Sequence, residues 1–173
     1  TRKCNRYSRS FSFLRLKRSV RKTTGAKERW ELLRDLARTN LFFLCKAVLG
    51  FKDMQPSFHG LLCRDLDRVQ RPYQRRLDLW PRGSLKTHII TVGKSIQYYL
   101  QDNNVRVLLV AANLRNATKN LSFIKRHFEN NQILHWLFPE CVPDLKNDKW
   151  AEMEICLRLL LVAYILRFYP FLD

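Results

Sequence analysis

"RRLDLWPRGSLKTHIITVGKSI", Arg75 to Ile96, carries the pattern of a strand, a glycine-containing turn and a helix. Leu77, Leu79 and Trp80 predict a short apolar strand, "PRGSLKT" a turn, and Ile89, Ile90, Val92 and Ile96 a helix. Strand, tight turn with Gly, Lys and Thr, then helix is the physical recipe for a phosphate cradle. The turn's N–H groups and the positive end of the helix dipole face an anion, a Lys adds a point charge, and a Thr hydroxyl can hold Mg²⁺. The general spacing GxxxxGK[ST], aligned on Lys86 and Thr87, would need Gly where Trp80 and Leu85 stand, so the pattern by itself is a weak signal. Its setting between a predicted strand and a predicted helix strengthens it.

Downstream, "VRVLLVAAN" (Val105 to Asn113) reads as a strand buried on both faces, as in a parallel sheet. Asn113 can cap a helix on which Leu114, Ala117, Leu121, Ile124 and Phe128 recur at steps of three and four. Strand, helix, strand, helix is the grammar of a βαβ unit. "NNQILHWLFPECVPDLKND" predicts a short helix and a Pro-punctuated loop, with Trp150 opening a new segment.

Upstream, Trp30, Leu33, Leu36 and Ala37, then Leu41, Leu44, Cys45 and Val48, form a helical stripe that Asn40 divides by capping its second half and Gly50 ends. Leu61, Leu62, Leu66 and Val69 predict one more helix after the turn signals Pro56 and Gly60. His59 has no second ligand in view and reads as a surface or helix-capping residue. Residues 1–29 hold eleven Lys or Arg against the single acid Glu28, which fits a nucleic-acid-binding arm or a solvated basic tail.

Composition bounds these readings. The chain has 173 residues, 46% of them hydrophobic, enough for one domain with a real core. Its formal charge of +17 favours a polyanionic partner: nucleic acid, nucleotide or an anionic membrane surface. Five cysteines without a CxxC pair or ligand-spaced His signal neither a disulfide framework nor a zinc site. Reduced thiols in a cytosolic compartment are the plain expectation. The uncharged run Leu159 to Leu166, bracketed by Arg158 and Arg167, falls short of the roughly 20 apolar residues that cross a bilayer, so a buried strand or helix is expected there.

"LWPRGSLKTHIITVG", followed by "NNVRVLLVAANLRNATKNLSFIKRHFENNQILHWLFPE", resembles the amino-terminal ATPase region of the large terminase subunit of tailed bacteriophages. That family carries a deviant P-loop of the form PRGxxKS or PRGxxKT, then a strand ending in a small or polar residue, an "IKxHFExN" helix and an "LFPE"-like segment. "LFFLCKAVLGFKDMQPSFHGLLCRDLD" is similar to its lead-in, and the resemblance runs from about Leu41 to Trp150.

The resemblance implies an α/β fold holding an incomplete P-loop NTPase core, with strand, P-loop, helix, strand and helix on a parallel sheet preceded by helices. The domains would be a basic arm at 1–29, a helical lead-in at 30–70, a P-loop half-domain at 71–150 and an atypical apolar tail at 151–173. ATP and Mg²⁺ are the implied cofactors. Lys86 would contact the β- and γ-phosphates, Thr87 would ligate Mg²⁺, and the turn Pro81, Arg82, Gly83, Ser84 and Leu85 would wrap the phosphates. Arg82 would sense or stabilise the γ-phosphate, so Arg82 and Lys86 are the implied catalytic pair, and Gln74 is the implied adenine contact.

Double-stranded DNA, a portal ring, a small terminase subunit and further copies of the chain are the implied partners, in the cytoplasm of an infected bacterial host. Leu85 in place of Gly sets a backbone cost if φ is positive there. No run of four apolar residues followed by Asp and Glu, the Walker B pattern, occurs in the chain. The expectation is therefore a fragment whose sequence leaves the family pattern near Cys156, and which binds nucleotide without turnover. Two other readings stand beside it: a helicase-type P-loop ATPase, and a non-enzymatic basic nucleic-acid-binding module.

Overall fold

The computed structural model describes residues 25–68, 76–102 and 105–143 in full, and the backbone of 149–151, 154–157 and 160–163. Its contacts divide the chain into two compact units, Thr1–Asp35 and Leu36–Asp173. In the first, the guanidinium of Arg34 lies 4.5 Å from the centre of the Trp30 ring, a cation–π pair one helical turn apart.

The second unit is built mainly of helices. Helix α1 (Ala26–Thr39), whose first ten residues belong to the first unit, ends just before Asn40, whose side chain accepts the Phe43 amide at 2.9 Å and starts α2 (Leu41–Phe43). This is the cap that the sequence predicts, since Asn satisfies an amide that has no partner inside the helix. Helix α2 passes directly into a π-helical segment, Leu44–Val48, and the chain turns at Gly50 with φ 76°. Helix α3 spans His59–Arg68. After the turn at 81–85 a second π-helical segment, Thr87–Gly93, continues into α4 (Lys94–Gln101). Helix α5 (Leu114–Asn130) is capped by Asn113, which accepts the Asn116 amide at 2.9 Å, and α6 spans Gln132–Leu137.

The core lies where α2 and its π extension, the 87–101 helix, α5 and α6 meet. Leu44, Ile89, Ile96, Ile124, Phe128 and Leu134 are all at most 1% exposed, and each such side chain stabilises the fold by about 1.5–3 kcal/mol. The two π segments meet at Gly93. A Cβ there would collide with Cys45 Sγ and sit 3.3 Å from the His88 carbonyl oxygen. Only hydrogen fits.

Beside that contact lies a polar cluster. The Asp67 carboxylate accepts the Leu41 amide at 2.9 Å and the Gln97 side-chain amide at 3.0 Å. Lys94 Nζ lies 3.4 Å from the same carboxylate and 2.7 Å from Gln97 Oε1. Burial lowers the Lys94 pKa, and Asp67 opposes that shift only in part. Burial raises the Cys45 thiol well above its ordinary value and pushes Cys63 up to about 12, so neither ionises near neutrality.

The expected P-loop core on a parallel sheet is not formed, and the α/β assignment is corrected on that ground. Residues 76–80, ahead of the turn, carry no strand; Leu77 and Leu79 are 81% and 82% exposed. Among the described residues, no neighbouring strand offers them a ladder or a face to bury. Arg76 instead clasps Asp78 at 2.8 Å and Asp65 of α3 at 2.6 Å. The predicted strand Val105–Asn113 shrinks to β1 (Arg106–Leu108), and it is not buried on both faces, since Leu108 and Val110 are 49% and 58% exposed.

β1 pairs in parallel with β4 (Leu160–Ala163), while β3 (Glu154–Leu157) runs antiparallel to both β4 and β2 (Lys149–Ala151). The order β1-β4-β3-β2 therefore holds one parallel pair, contributed by the apolar tail. Among the described residues, no helix is long and apolar enough to cross a membrane.

Gly93→Ala should destabilise the chain by about 1–3 kcal/mol in urea unfolding, because the new methyl overpacks the contact. Gly93→Ala with Cys45→Ala should recover part of that loss; equal loss in both variants would show that Cys45 is not what the methyl meets.

Candidate functional site

The turn expected to hold phosphate is formed by Pro81 to Leu85. The Ser84 hydroxyl is buried and donates to the Pro81 carbonyl at 2.8 Å, closing the turn on itself. Gly83 has φ 80° and Leu85 φ 55°, both left-handed. Glycine takes such a conformation freely, whereas Leu85 carries a steric cost of about 1–2 kcal/mol. Left-handed residues in a tight turn are a means by which successive N–H groups come to face one anion.

Lys86 begins the helix, with φ −52° and ψ −44°. Its ammonium folds back over the turn and donates to the Trp80 carbonyl at 3.1 Å. Arg82 is exposed, and no hydrogen bond or ion pair engages its guanidinium among the described residues. The Thr87 hydroxyl is half-buried and likewise uncommitted among them. The turn thus brings Arg82, Lys86 and Thr87 within one short segment. Gln74, the expected adenine contact, lies outside the described residues.

Four aromatic rings stand behind the turn. The Phe51 ring meets the His88 ring edge-on at 5.4 Å and the His127 ring at 5.7 Å, and His88 lies 5.4 Å from Phe123. Ahead of the turn, the Trp80 ring lies 6.1 Å from Phe58. His59 is buried at the start of α3, not on the surface; its Nδ1 accepts the Gln55 amide at 2.9 Å, so the capping half of its expected role is the one realised.

A pocket of about 290 Å³ opens beside the turn, lined by Gly50, Phe51, Lys52, Asp53, Leu85 and His88. Sequence reasoning placed Gly50 as a helix end and did not assign Phe51, Lys52, Asp53 or His88 to a site. The signal available was slight: His88 directly follows Thr87, and an acid follows Gly50 by three residues. That these two places face each other is a fact of packing.

A metal site made by protein side chains alone is not present: no group of three or more His, Cys, Asp or Glu could hold one among the described residues. The donor set at the turn, one free hydroxyl at Thr87, fits Mg²⁺ arriving with a nucleotide, because Mg²⁺ is commonly held by few protein ligands together with substrate phosphates.

No family model, curated protein or solved structure matches the chain.

Two outcomes follow from this geometry. Leu85→Gly should be more stable than Leu85→Ala by about 1–2 kcal/mol in urea unfolding, since both lack the Leu side chain and only Gly escapes the left-handed cost; equal stabilities would mean that φ at 85 is not positive. His127 has its pKa lowered, chiefly by burial and then by Arg126 and His88, from an ordinary value of 6.5. Below that value the unfolded chain takes up the proton first, so stability falls as pH drops from 6.5 through the folded-state pKa. His127→Gln should flatten this part of the stability profile, and an unchanged slope would remove His127 as its source.

Proposed function

We propose that the chain is the nucleotide-binding part of a large terminase subunit of the tailed-bacteriophage kind, in which ATP hydrolysis drives double-stranded DNA into a preformed capsid. The observation that carries this reading is the closed turn at 81–85, with left-handed Gly83 and Leu85 and Lys86 folded back onto the Trp80 carbonyl. A lysine held over such a turn can exchange a carbonyl partner for a phosphate oxygen. The order of the P-loop-like turn, the "VRVLLVAAN" stretch, the "IKRHFEN" helix and "LFPE" supports the family. The reading does not rest on a parallel sheet.

In this proposal Lys86 binds the β- and γ-phosphates as a point charge, and the backbone from Pro81 to Leu85 surrounds them. Arg82, exposed and without a partner among the described residues, reaches the γ-phosphate side. Thr87 would be the protein ligand to Mg²⁺, which would neutralise phosphate charge when bound with nucleotide. With no apolar run ending in an Asp–Glu pair, the chain has no Walker B carboxylate to polarise a water. It binds ATP and does not turn it over.

The charge of +17 fits a DNA partner bound through its phosphates. A portal ring, a small terminase subunit, further copies of the chain and the cytoplasm of an infected bacterium belong to the same proposal.

Titration calorimetry with MgATP should detect binding to the chain, weakened at least about tenfold in Lys86→Ala, equivalent to about 1.4 kcal/mol. Equal binding by the two proteins would leave a basic nucleic-acid-binding module as the better reading. Phosphate release from MgATP should not exceed that of the Lys86→Ala control; a clear excess would contradict the absence of turnover.

A further inference from the structure

We propose that the pocket between Gly50–Asp53 and the Leu85–His88 segment takes the base and ribose of the nucleotide, so that nucleoside recognition comes from the loop after the second helix. The inference rests on the reading of the 81–87 turn as a phosphate site and adds the part that a phosphate turn cannot supply. Leu85 and His88 line the pocket and flank Lys86 and Thr87 in the chain. A ligand in the pocket therefore continues directly into the turn.

The opposite wall is a held loop. The Lys46 ammonium donates to the carbonyls of Lys52 and Met54, the second at 3.0 Å. The Phe51 amide donates to the Cys45 carbonyl at 3.0 Å, and the Met54 amide to the Phe51 carbonyl at 3.3 Å. These bonds fix residues 51–54 before any ligand arrives, which lowers the ordering cost of binding. Gly50, at φ 76°, makes the bend from the π segment into this wall.

The lining chemistry suits a nucleoside. Phe51 and His88 supply aromatic surface for a base. Asp53 and Lys52 are exposed at the rim, and neither charged group has a partner among the described residues. A carboxylate there accepts the paired hydroxyls of a ribose. Size decides the orientation: about 290 Å³ is at the lower limit of the roughly 300–1,000 Å³ typical of small-molecule pockets. A base with its sugar fits, and the triphosphate has to lie outside, along the turn.

The test compares MgATP, magnesium tripolyphosphate and 2′-deoxy-ATP by calorimetry on the full chain. Wild type should bind ATP at least about tenfold more tightly than tripolyphosphate, and ATP more tightly than 2′-deoxy-ATP. Asp53→Asn, on an exposed side chain, should abolish the preference for ATP over its deoxy form. Phe51→Leu should reduce the ratio of ATP to tripolyphosphate affinity about tenfold, while Lys86→Ala should weaken both ligands together. If tripolyphosphate binds as tightly as ATP, or if both pocket variants keep the wild-type ratios, the nucleoside assignment is overturned and the phosphate turn stands. If neither ligand binds wild type, the phosphate reading fails and takes the pocket with it.

Discussion

One carboxylate ties three stretches of the helical body to one another. Asp67, near the end of α3, accepts the amide of Leu41 through one oxygen and faces Gln97 and Lys94 through the other. Three stretches separated by 26 to 30 residues in sequence meet at this single anion. A buried charge costs several kcal/mol unless it is paired and hydrogen-bonded, and here each partner carries a complementary polar group. The net stabilisation from such a cluster is small, since the attraction repays a desolvation cost. Its consequence is geometric: with Lys94 and Gln97 tied to Asp67, the 86–101 helix cannot rotate about its axis.

That fixed rotation is what lets Gly93 face Cys45. Both residues sit in π-helical segments, Leu44–Val48 and Thr87–Gly93. A π turn holds an extra residue and spreads the helix locally, a feature often found beside functional sites. The second π segment starts at Thr87, directly after the lysine of the turn. The close approach at Gly93 thus pins the far end of the segment whose near end carries Lys86 and Thr87. The seven residues of this segment run from the turn to the close contact at Gly93.

The segment ahead of the turn obeys a different constraint. Leu77 and Leu79 have the alternation of a strand, yet a strand gains stability only from neighbours that pair its backbone and cover its side chains. Among the described residues, neither is supplied to residues 76–80. The local ion pairs of Arg76 with Asp65 and Asp78 fix the segment against α3, although such partly exposed pairs contribute only about 0–1 kcal/mol each. β1 meets the same problem and pairs with β4 instead. The arrangement is therefore a helical body with a small mixed sheet at one margin of the sequence.

Helices were legible in the sequence because their determinants are local. The spacing of Ala117, Leu121, Ile124 and Phe128 marks the buried face of α5, and Asn40 and Asn113 cap as their side-chain chemistry dictates. The turn was legible for the same reason: Gly83, Lys86 and Thr87 lie within five residues. The sheet was not, because alternation at Leu77 and Leu79 states a preference that only a distant partner can satisfy. Nor was the pocket, whose two walls lie more than thirty residues apart and touch only after the helices pack. The local sequence was enough to place the helix starts and the residues of the turn itself. The tertiary structure alone decided which apolar segments found a ladder and which loop faced the turn, since those depend on free energies of burial and pairing between remote parts of the chain.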